Sequence, residues 1–164
     1  MFTTNAAHLH LVLNHIPIVA TYGSLLVLIT GYILKNQTVR QTGLVLLVAA
    51  SVFAIPAYLT GDPAEDILEA AGQANHNFIE EHEELAEGVV WFCVTTGLLS
   101  LIAFVTSLRK MNIAKPLTLI VTVASLGCSI ALYKVGETGG EIRHTEIRDG
   151  QTKMGTHEES ENDH

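Results

Sequence analysis

The sequence predicts an all-α integral membrane protein, an antiparallel four-helix bundle with both termini on the outer, periplasmic side. Three observations carry this. The 164 residues are 48% hydrophobic and only 16% charged, where soluble globular domains carry roughly 25% charge. The apolar residues collect in four blocks, each of about the 20 residues that a spanning helix needs. The positive charges between blocks sit in two short connections, apart from the acids. A net charge of −8 with no basic stripe excludes a nucleic-acid binder, and two cysteines exclude a disulfide-stapled secreted domain.

The first block runs from about Leu9 to Leu34, the second from Gln41 to Thr60, the third from Phe78 to Leu108 and the fourth from Pro116 to Gly136. At 1.5 Å per residue, roughly 20 residues cross a ~30 Å hydrocarbon layer. Length decides for helices, since spanning strands need only about 10 residues and alternate strictly. The first block reads as a retained span rather than a signal peptide, because no Lys or Arg precedes Lys35 and no small-x-small cleavage site follows.

Orientation follows from the basic residues. Lys35 and Arg40 join spans one and two, and Arg109, Lys110 and Lys115 join spans three and four, with no acid in either connection. All 17 carboxylates fall in 61–87 or from Glu137 onward. The bacterial inner membrane, with the basic turns in the cytoplasm, is the expected location. Residues 1–148 form the membrane domain, and 149–164 read as a flexible acidic tail.

An ionisable side chain inside a span is costly unless it faces the bundle interior and finds a partner. His15 lies about six residues into span one, two before Pro17, and His82 opens span three on the face of Phe78, Leu85, Val89 and Cys93. Both spans start outside, so the two imidazoles are expected to meet across one cavity, walled by Tyr22, Phe78 and Trp91. Gly139 and Gly140 allow a reversal that folds Arg143 and His144 back over the mouth. Neutral imidazole is the usual axial ligand of b-type haem and a good ligand for copper or zinc. His10, His76, Glu80 and Glu83 supply further metal ligands on the same side. Cys93 and Cys128 read as small buried apolar residues in separate spans, and the lack of C-x-x-C-H excludes covalent haem.

The stretch from His10 through Asn14 and His15 to Pro17 resembles the H-x(4)-H-x-P motif that opens the first span in a bacterial family of small four-span membrane domains. His82 resembles that family's histidine at the outer end of span three, and Gly139-Gly140 with His144 resembles its closing Gly-Gly and histidine. The likeness runs to about Arg148. Leu11 stands where the family often has proline, and the gap before His144 is shorter than its usual one. The resemblance implies a membrane domain whose outer-side histidines hold haem or a metal. It implies no reaction.

Three functions follow. The first is a haem b protein with His15 and His82 as axial ligands and Arg143 on a propionate, passing electrons between a membrane partner and a periplasmic redox protein. The second is a copper or zinc binder using His15, His82, His10, His76, Glu80 and Glu83. The third is a non-catalytic subunit or homo-oligomer whose small-residue segments (Ala49-Ala50-Ser51, Thr95-Thr96-Gly97, Ala124-Ser125-Leu126-Gly127) pack helices closely. No nucleophile is paired with a base, which speaks against a hydrolase or transferase.

Overall fold

The computed structural model describes residues 5–72, 76–144 and 147–148. Five helices form: α1 (Ala6–Ile33), α2 (Gln37–Leu59), α3 (Gly61–Ala70), α4 (His76–Leu108) and α5 (Ala114–Arg143). Four helical segments are long and apolar enough to cross a membrane: α1, α2 continued by α3, α4 and α5. Each contains one of the four apolar blocks. The tail at 149–164 lies outside the described residues.

Local chemistry sets the helix ends. The Asn5 side chain accepts from the Ala7 N–H at 2.9 Å and that of Asn36 from the Val39 N–H at 3.2 Å, which satisfies donors that have no partner within a helix. Lys35 (φ 52°) and Lys110 (φ 53°) are left-handed. Each is followed by an N–H that closes back on the helix, Asn36 to Gly31 O and Met111 to Thr106 O, both at 3.0 Å. This is a glycine-type terminator built on lysine. A side chain there costs about 1–2 kcal/mol, partly offset by the positive charge at a helix C-terminus.

The acidic stretch after span two, which the sequence suggests is a connection, is instead the short helix α3. Asp62 lies in its first turn, where a carboxylate meets the positive end of the helix dipole, and Pro63 is tolerated there. Helix α3 packs on α1 and buries Ala64. Helix α5 also departs from expectation. It runs through Gly139 and Gly140 to Arg143 rather than ending near Gly136, so no reversal occurs at the paired glycines. Ile147 bonds back to His144 O at 3.3 Å, Arg148 bonds Glu141 O at 2.7 Å and Ile142 O at 3.1 Å, and its guanidinium lies 4.1 Å from the Phe78 ring centroid.

Around the bundle, α1 packs on α2, α2 on α4, α4 on α5, and α5 closes on α1 along a smaller interface. Helices α1 and α4 therefore stand across the centre from each other. Early residues of one helix meet late residues of the next: Ser24 donates to Gly43 O (2.8 Å), Ser100 to Leu44 O (2.9 Å) and Gln41 to the Ser107 hydroxyl (3.0 Å).

The packed interior is rich in small residues set around a few large ones, Leu28, Leu44, Leu47 and Val121. Ser24, Ala50, Ala54, Ser100, Ala103 and Ser125 are buried, whereas Val19, Ile33, Leu59, Val123 and Ile130 are well exposed. Apolar bulk outward and small side chains inward is the packing expected where lipid removes the hydrophobic drive between helices. Gly97 shows how close the backbones come, since a Cβ there would fall on the Ser51 hydroxyl. One end of the bundle, where α1 begins and α2 finishes, carries the acids of α3 and early α4. The other carries Lys35, Arg40, Arg109, Lys110 and Lys115.

Candidate functional site at the acidic end

The inward stripe of α1 passes through Pro17, Thr21, Ser24, Leu28 and Gly31. Those steps of three and four residues follow one helix face. Extended back by seven residues, the stripe reaches His10. His15 lies five residues from His10, about 140° around the helix, and falls on the outer surface.

His15 is exposed, and its Nδ1 is 2.6 Å from Leu11 O in its own helix. It therefore does not face His82, contrary to the sequence expectation. His10 does point inward. Its Nδ1 lies 2.9 Å from Ala57 O and 3.2 Å from the Thr60 hydroxyl. Ala57 O is available because α2 is ending, and last-turn carbonyls lack helical partners. The Thr60 hydroxyl itself donates to Pro56 O or Ala57 O, each at 2.9 Å.

His82 enters from α4. Its Nδ1 is 3.0 Å from the Thr138 hydroxyl, which donates to Val135 O at 3.2 Å. A Cβ on Gly139 would stand 3.0 Å from His82 Cε1, so the imidazole lies tightly against the α5 backbone there. His10 and His82 are both half-buried, on helices across the bundle.

The hydrogen bond to Ala57 O assigns the His10 tautomer. A carbonyl only accepts, so His10 Nδ1 carries the proton. The Thr138 hydroxyl lies between Val135 O and His82 Nδ1 and holds the second ring in place. His10 is left with an Nε2 lone pair, the form in which neutral imidazole ligates a metal. One turn from His10 on the same face, the Asn14 side-chain oxygen is buried with no hydrogen-bond partner. Three Lewis-basic atoms thus belong to this end of the interior.

The remaining predicted ligands lie elsewhere. Arg143 and His144 end α5 and are exposed. His76 is exposed and pairs with Glu69 at 3.0 Å, and Glu65 joins these two, with ligand atoms of all three within 4.8 Å of one another. Glu80 and Glu83 are exposed and are not part of that group. Trp91 also faces outward, so it forms no wall of the site. Beneath His82, Val89, Cys93, Cys128 and Leu132 make an apolar cluster with Ile18 and Leu85 against it. The two cysteines, from α4 and α5, belong to this one cluster, and Cys128 Sγ lies 3.4 Å from the Thr96 hydroxyl. Sequence reasoning treats the cysteines as separate and passes over Glu65, Glu69, Asn14 and Thr138.

Residues 6–146 match the DUF2231 family, described as predicted membrane proteins. The chain belongs to this family. No curated protein and no solved structure matches it. The DUF2231 match covers all five helices and so includes His10, His82, Thr138 and Gly139 in one domain.

Proposed function

We propose that this DUF2231 chain is a haem b protein of the bacterial inner membrane, an electron-transfer component with His10 and His82 as axial ligands. The observation that carries the reading is the pair of half-buried imidazoles on helices across the bundle, His10 held by Ala57 O and His82 by the Thr138 hydroxyl. Two nitrogens complete the axial positions of a haem iron, whereas structural zinc takes four protein ligands. Bound haem would supply a one-electron couple. Thr60, Ala57 O and Thr138 orient the rings, and the Val89, Cys128 and Leu132 layer shields the site from below. Arg143 closes α5 at the same end and would neutralise a propionate.

In this reading the helices form an antiparallel bundle with its acidic end in the periplasm. The segregation of Lys35, Arg40, Arg109, Lys110 and Lys115 to the opposite end supports it. An electron partner would then approach from the periplasmic side or through the bilayer.

A second reading, a bare copper or zinc ion, draws support from the unpartnered Asn14 oxygen as a third ligand beside the two imidazoles. The optical spectrum and metal content of the protein purified from membranes separate the two. A Soret band with iron supports haem, and copper or zinc without porphyrin absorbance supports the ion. A colourless, metal-free protein overturns both.

A further inference from the structure

At the basic end, a groove of about 450 Å³ opens between the start of α2 and the turn joining α4 to α5. Arg40, Lys110 and Lys115 line it, with Asn112 and Gln37, and no carboxylate does. Among the described residues none of these three cations forms an ion pair. Gln37 spends its amide on Ser107 O and Oγ at 3.1 and 3.2 Å, which leaves the cations and Asn112 as the convergent donors.

Arg40 is held in place. A Cβ on Gly31 would come within 2.6 Å of Arg40 Cγ, so only glycine lets α1 and the Arg40 stem approach this closely. The guanidinium carbon sits 5.1 Å from the Tyr32 ring centroid. The Tyr32 hydroxyl is buried without a partner. Lys110 adopts a left-handed conformation that glycine would take at lower cost, so this turn keeps a charged side chain where a smaller residue fits better. Exposed Leu108, Met111 and Ile113 border the same turn, which makes the cationic groove continuous with apolar surface.

We propose that this groove binds the phosphate headgroup of an anionic phospholipid, with the acyl chains along the exposed apolar residues beside it. Guanidinium and ammonium donors match phosphate oxygens, and basic pockets between spanning helices suit such headgroups. The apolar border selects a lipid over a free phosphate. The proposal needs only the four-span bundle and is independent of the haem reading.

The test is native mass spectrometry of detergent-purified protein titrated with phosphatidylglycerol, phosphatidylcholine or inorganic phosphate. Phosphatidylglycerol is expected to be retained at least tenfold better than phosphatidylcholine. R40Q/K115Q is expected to weaken its retention by roughly 5-fold for each charge removed, and R40K/K115R to keep most of it. The exposed K110Q variant provides the same readout should R40Q/K115Q fail to fold. Equal retention of the two lipids overturns the proposal, as does retention in K110Q and R40Q/K115Q that matches the parent. Inorganic phosphate binding as tightly as phosphatidylglycerol overturns the lipid assignment in favour of a free anion.

Discussion

The His82 imidazole of α4 lies so close against Gly139 of α5 that a β-carbon there requires the ring to shift. A Cβ on Gly139 would stand 3.0 Å from His82 Cε1. Gly139→Ala is therefore expected to push the ring off the Thr138 hydroxyl. Overpacking of this kind costs about 1–3 kcal/mol. Thermal unfolding in detergent, with cofactor content measured on the same sample, checks both effects. A Gly139→Ala variant as stable and as loaded as the parent contradicts the contact.

Thr138 acts through His82, whose Nδ1 it holds by a 3.0 Å hydrogen bond. Thr138→Val keeps the shape and removes the hydroxyl. Loss of a partner of this kind lowers metal affinity by roughly 10–100-fold, and Thr138→Ser is expected to restore most of it. Titration of haem or metal into the stripped protein reads the difference, while circular dichroism shows the fold unchanged.

Gly97 and Ser51 set the spacing of α2 and α4. Gly97→Ala places a methyl on the Ser51 hydroxyl and is expected to destabilise the bundle by about 1–3 kcal/mol. The double variant Gly97→Ala with Ser51→Gly returns that space and should recover much of the loss. Denaturation midpoints for the two single variants and the double variant decide the matter.

Much of the architecture can be read from the chain because a bilayer imposes strong rules. The four apolar blocks are longer than any strand requires, and the small segments around Ala50, Gly97 and Ser125 do reach the packed interior. The rotation of α1 about its axis differs from the sequence expectation, which takes the apolar face as the buried one. In lipid the buried face is the small and polar one. The spacing of Pro17, Thr21, Ser24, Leu28 and Gly31 contains that signal and leads to His10 rather than His15. Gly139 and Gly140 read as a turn, yet they lie inside α5, where the His82 ring approaches Gly139 and the Ile147 side chain approaches Gly140. The meeting of Cys93 with Cys128 depends on the relative rotation of two helices, and no local pattern encodes it.

That meeting has a chemical consequence. Both thiols lie in one buried cluster between α4 and α5, so a membrane-permeant thiol oxidant such as diamide is expected to join them within one chain, releasing the two thiol hydrogens to the oxidant. Thiol labelling under denaturing conditions should then fall from two sites to none, with no dimer on a non-reducing gel. Cys93→Ser should leave one label. Two labels after full oxidation would mean that the sulfurs do not meet.

The assignment of His10 and His82 as the inward pair is tested most directly by the absorption spectrum of the purified protein compared across three alanine variants. The account predicts a Soret band in the parent that His10→Ala and His82→Ala each abolish or shift, and that His15→Ala leaves in place. A band lost in His15→Ala and kept in His10→Ala contradicts it.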